Sequence, residues 1–97
     1  MIISFGDRTT EDIFNGLESK ATRKYQKRIL NVVIRKLDMI NAAQVLKDLS
    51  SPPGNRLEPL KGDLKGYYSI RVNEQFRLIF IWSENGAHQV QLTDYHD

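Results

Sequence analysis

The sequence predicts an α+β domain, with helices packed on one face of an antiparallel β-meander. Three observations carry this expectation. From Ala21 to Ala43, Tyr25, Ile29, Val33, Leu37 and Ile40 recur at three- and four-residue spacing, with Lys24, Lys27, Arg28, Asn31 and Arg35 on the other side. Ser50-Ser51-Pro52-Pro53-Gly54-Asn55 then stops helical structure. Beyond it, Tyr67–Val72, Phe76–Trp82 and His88–Asp94 read as strands joined by Asn73-Glu74-Gln75 and Glu84-Asn85-Gly86.

The remaining elements follow in order. Met1 to Phe5 reads as a short strand, and Thr9 or Thr10 can cap a short helix through about Gly16. The long helix comes next, and Ala42 to Leu49 adds a last turn or two. Arg56 to Leu60 forms a short strand that Pro59 suits to a sheet edge. Lys61 to Gly66 is a loop with two glycines. No repeat or linker divides the chain, so residues 1–97 form a single domain.

Composition narrows the class. Forty per cent hydrophobic and 27% charged residues suit a soluble globular protein with one core. No run approaches the roughly 18 apolar residues of a membrane span. Met1 to Asp7 lacks a basic stretch followed by an apolar one, so a secretory signal is not expected. With no cysteine there are neither disulfides nor thiolate metal sites. A cytoplasmic protein is expected.

Net charge is only +2, but it is segregated. Asp7, Glu11, Asp12 and Glu18 oppose one base, Arg8, whereas Lys20 to Lys36 holds Lys20, Arg23, Lys24, Lys27, Arg28, Arg35 and Lys36 without an acid. Such a run is either a solvated helix face or a field for a polyanion. Lys20, Arg23 and Lys24 fall near the expected helix start, where the dipole disfavours cations, so helix stability does not select them.

Strand parity places the polar residues. Ile70, Val72, Phe76, Leu78, Phe80, Trp82, Val90 and Leu92 form the core face. If Val72 pairs with Phe76, Arg71 stands opposite Arg77 on the other face. A three-residue Glu84-Asn85-Gly86 loop pairs Phe80 with Val90, Leu78 with Leu92 and Arg77 with Thr93. An Asn85-Gly86 turn would mix the faces and is rejected. Opposed arginines repel by tenths of a kcal/mol unless an anion lies between them. The alternative is that they pair with Glu58, Glu74 or Asp94. Asp94-Tyr95-His96-Asp97 brings a carboxylate, a phenol and an imidazole to the end of the same sheet. Acid/base groups beside guanidiniums are what phosphodiester cleavage requires.

Several motifs in order resemble one family. Ser51-Pro52-Pro53-Gly54-Asn55-Arg56-Leu57-Glu58, Leu60-Lys61-Gly62, Gly66-Tyr67-Tyr68-Ser69-Ile70-Arg71-Val72-Asn73, Phe76-Arg77-Leu78 and Asp94-Tyr95-His96 are similar to the HigB (killer-protein) branch of the RelE toxin superfamily. The likeness covers nearly the whole chain. It implies a RelE-like fold and a type II toxin: an endoribonuclease that cuts messenger RNA on the ribosome. The implied partner is a HigA-type helix-turn-helix antitoxin, through which the complex represses its operon at operator DNA. Lys61, Arg77, Asp94, Tyr95 and His96 match positions implicated in RNA binding or cleavage, and Arg71 falls in the expected basic groove. Some members carry histidine where this chain has Glu58, which departs from a histidine mechanism, although a carboxylate can also serve as a base.

RNA brings its own nucleophile, the 2′-hydroxyl, so neither metal nor cofactor is expected. Arg77, Arg71 and Lys61 are assigned to the phosphate, with Arg56 beside them. Glu58 is the preferred base, or else a structural partner of Arg56 or Lys61. His96 is the acid, and Tyr95 stacks on a base or donates a proton. Asp94 orients His96 or simply finishes the strand. Lys20, Arg23, Lys24, Lys27 and Arg28 would lie against ribosomal RNA through phosphates. His88 and His96, eight residues apart, make a poor zinc pair. The competing classes are a basic module that binds without cutting, and a weakly active toxin acting as an antitoxin-bound corepressor.

Overall fold

The computed structural model describes residues 1–94. Strands β1 (Glu58–Pro59), β2 (Tyr68–Arg71), β3 (Phe76–Ser83) and β4 (Gly86–Asp94) form one antiparallel sheet in sequence order. Helices α1 (Arg8–Phe14) and α2 (Lys27–Ala42) cover one of its faces. Val33, Leu37 and Ile40 of α2 and Ile13 of α1 join Ile70, Phe76, Leu78, Phe80, Val90 and Leu92 in the core. The expected α+β architecture and core parity are both present.

The N-terminal segment behaves as an incomplete strand. Ile2 and Phe5 bridge in parallel to Ala87 and Val90, and the Ile3 N–H donates to the Ala87 carbonyl at 2.7 Å. This covers the outer edge of β4, which would otherwise present unpaired backbone groups.

Three boundaries differ from the sequence expectation. Asp7, not Thr9 or Thr10, caps α1, accepting from the Thr10 N–H at 2.8 Å. Thr10 is instead fully buried and its hydroxyl accepts from the Leu92 N–H at 2.9 Å. The long helix starts at Lys27 rather than Ala21. Ser19 and Thr22 bond each other's backbone N–H groups at 2.9 and 3.2 Å and hold Thr22–Lys24 in a separate 3-10 turn. Tyr25 and Gln26 are then extended. The cations at the helix start are therefore Lys27 and Arg28, while Lys20, Arg23 and Lys24 precede it. After α2, Leu46–Ser50 and Pro53–Asn55 are 3-10 turns, and the expected strand from Arg56 to Leu60 shrinks to two residues.

Register holds over the half of the hairpins nearest Arg77. Ile70 faces Leu78, Arg71 faces Arg77, Leu78 faces Leu92 and Arg77 faces Thr93. Between Ile79 and Ile81 the β3–β4 ladder shifts by one residue. Gln89 takes up the extra residue at φ 52°, its N–H donating to Ser4 Oγ at 2.9 Å. Beyond the bulge Ser83 faces Gly86, so the turn is Glu84-Asn85 and not the three-residue loop.

Candidate active site

On the face away from the helices, parity aligns two rows. Glu58, Ser69, Ile79 and Gln91 form one, and Arg71, Arg77 and Thr93 the next. This face is not uniformly open, because Ser69 and Ile79 are buried at its centre.

Arg77 is also buried, at 8% exposure. Its Nε donates to Ser69 Oγ at 2.9 Å and its Nη2 to the Arg56 carbonyl at 2.8 Å. Nη1 lies 3.6 Å from Glu58 Oε1. Burying a guanidinium is tolerable only with its donors and charge answered in this way. Arg56 makes its carbonyl available by adopting a left-handed backbone at φ 46°. That conformation is disfavoured for a residue with a Cβ, and such strain concentrates at functional positions.

The two arginines thus have unequal environments. Arg77 takes the carboxylate pairing with Glu58, and Glu58 pairs with neither Arg56 nor Lys61 in an ion pair among the described residues. Arg71 turns along its own strand end, its Nε donating to the Asn73 carbonyl at 3.1 Å. Lys61 and the Arg56 side chain are exposed beside β1.

Asp94 ends β4 opposite Phe76. Alternation puts it on the other face from Thr93 and Arg77, and its Oδ2 accepts from Gln75 Nε2 at 3.0 Å. Its charge is felt by the Tyr25 phenol, whose pKa is raised by burial first and then by Asp7 and Asp94. The expected catalytic residues Tyr95 and His96 lie outside the described residues. Lys20, Arg23, Lys24, Lys27 and Arg28 are exposed in the helical layer, on the opposite face of the sheet from Arg77.

Sequence reasoning missed Ser69 and Asn55. Ser69 was within reach, since parity puts it on the Arg71 face two residues earlier. Asn55 was not, because its role depends on a helix nineteen residues away.

A family model described as "RelE-like toxin of type II toxin-antitoxin system HigB" matches residues 4–96. The chain belongs to this family. Toxin HigB-1 of Vibrio cholerae serotype O1 is 45% identical over 87 residues, 90% of each chain. Endoribonuclease HigB of Proteus vulgaris is 42% identical over 41 residues, 42% of this chain and 45% of that protein. A chain of the YoeB–YefM complex from Staphylococcus aureus superposes with a TM-score of 0.62 at 20% identity, covering 100% of this chain and 99% of its own. YafQ from Escherichia coli BL21(DE3) gives 0.56 at 19% identity, covering 97% and 91%. At these identities the structural likeness establishes a shared RelE-like fold. Membership of the HigB-like family makes the protein a toxin of a type II toxin–antitoxin system, a class whose counterpart is an antitoxin. Among the described residues no helix is long and apolar enough to cross a membrane.

Proposed function

We propose that this HigB-family toxin is a ribosome-dependent endoribonuclease acting on messenger RNA in the cytoplasm. Its HigA-type helix-turn-helix antitoxin neutralises it and carries the complex to operator DNA. The Glu58–Arg77 pair, with Arg71 paired to Arg77 across the strands, carries this reading: a candidate base sits against one candidate phosphate ligand, and a second stands opposite that ligand.

Glu58 takes the proton of the 2′-hydroxyl as O2′ bonds to phosphorus. The P–O5′ bond breaks, and His96 gives the leaving 5′ oxygen its proton. The products are a 2′,3′-cyclic phosphate and a 5′-hydroxyl. Arg77 lies 3.6 Å from Glu58 through Nη1, which puts a guanidinium beside the base to offset negative charge as it builds on the phosphate. Arg71, Lys61 and Arg56 hold the flanking phosphates from the exposed side. Tyr95 stacks on a base or donates a proton. Asp94, turned away from Arg77 and held by Gln75, secures the strand end that leads to Tyr95 and His96.

Lys27, Arg28, Lys20, Arg23 and Lys24 bind ribosomal RNA by phosphate contacts. Their place in the helical layer lets the toxin face the ribosome with one side and the messenger with the other.

Primer extension on a reporter messenger, with and without ribosomes, tests this reading. Discrete cuts are expected from wild-type protein only with ribosomes, and none from the Tyr95→Ala/His96→Ala variant. Retained ribosome binding without cleavage by folded wild-type protein would instead indicate a binding module or an antitoxin-bound corepressor.

A further inference from the structure

Six of the seven bases between Lys20 and Lys36 are exposed on the basic surface, but Lys36 turns inward and is half-buried. Its Nζ donates to Asn55 Oδ1 at 2.5 Å. Burial, and then the neighbouring Arg35, lower the pKa of this amine. Leaving water is unfavourable for an ammonium, so the bond to Asn55 answers a real cost.

Asn55 is fully buried. Its Nδ2 donates to the Leu49 carbonyl at 3.1 Å and the Ser51 carbonyl at 3.3 Å. With Oδ1 taken by Lys36, both ends of the amide are engaged. The residue that follows is Arg56, with its left-handed backbone and its carbonyl on Arg77 Nη2. Gly54, which would adopt such a backbone freely, does not carry it. The strained residue sits instead directly after the clamped one.

We propose that Lys36 and Asn55 are positioning residues for Arg77: their bond fixes the backbone from which the Arg56 carbonyl holds the guanidinium. Neither side chain touches RNA. The pair ties α2 to the outer-face site across the Pro53–Asn55 turn, and its effect on cleavage rests on the function proposed above.

Two readings of a Lys36→Met variant test this. The substitution removes the ammonium and keeps an apolar stem. In wild-type protein, NMR of labelled arginine should show a protected Arg77 Nε–H and two distinct Nη resonances. In folded Lys36→Met, Nε–H exchange should accelerate and the Nη resonances should merge. Single-turnover cleavage on saturating ribosomes should fall about tenfold to a hundredfold, the scale of small misplacements, with ribosome affinity unchanged. Asn55→Ala should do the same more strongly, and Lys36→Met keeps the test valid if that variant unfolds. An unchanged Arg77 signal in folded Lys36→Met overturns the proposal whatever the activity. So does a rate loss that only tracks lost ribosome affinity, which would return Lys36 to the basic surface. If wild-type protein cuts nothing while the Arg77 signals respond as described, the nuclease reading fails and the positioning stands.

Discussion

Arg71 and Arg77 are direct cross-strand partners with opposite fates. Arg77 is locked against Ser69, Arg56 and Glu58, whereas Arg71 bonds the carbonyl of Asn73 at the strand end. Arg77→Ala should therefore destabilise the fold by about 2–4 kcal/mol, since it strips partners from a buried network. Arg71→Ala should stay within about 1 kcal/mol of wild type while weakening cleavage. Urea unfolding and primer extension on both variants separate the two roles; equal stability losses would contradict the assignment.

Glu58 offers a second separation. Its side chain is 48% exposed but answers the charge of the buried Arg77 guanidinium, so Glu58→Gln should lower the melting temperature, though by less than Arg77→Ala does. As the base it should lower the cleavage rate by about 10²–10⁴-fold. A rate within twofold of wild type would reassign Glu58 to a structural partner of Arg77.

The α1 cap and the α1–β4 tie are distinct interactions on neighbouring residues. Asp7→Ala should cost about 0.5–2 kcal/mol through the lost cap. Thr10→Val should cost about 1–3 kcal/mol by leaving the buried Leu92 N–H without its acceptor. If the reverse order is found in chemical denaturation, Thr10 acts as the cap in solution.

Asp48 sets an acid limb. Its carboxylate accepts the Gln44 and Val45 N–H groups, which hold its pKa below the ordinary 3.8. A depressed folded pKa means that the stabilisation is complete above the unfolded value and is lost as pH falls through the folded one. Asp48→Ala should flatten the decline in melting temperature below about pH 4, where this carboxylate titrates. An unchanged slope would place the acid sensitivity elsewhere.

The basic surface predicts a salt signature. Lys27→Glu/Arg28→Glu should weaken ribosome binding and reduce its dependence on salt, because fewer counterions are released. Binding that ignores salt in wild-type protein would remove phosphate contacts from the account.

What the sequence determined by itself is what local periodicity encodes. Alternation along β2, β3 and β4 set the core face and the pairing of Arg71 with Arg77 and Leu78 with Leu92. The motif order from Ser51 to His96 pointed to the family. Both are written in residues close together in the chain. The tertiary structure decided whatever needed a distant partner. Ser4 meets Gln89 at the bulge, and the hairpin turn is one residue shorter than the local pattern indicates. Leu92 claims the Thr10 hydroxyl, leaving Asp7 to cap α1. Lys36 leaves the basic helix face for Asn55, and Arg77 sinks against Ser69 and Arg56. A polar side chain's bonding capacity is visible in its formula, but its partner is chosen only when folding excludes water and brings remote backbone groups within reach.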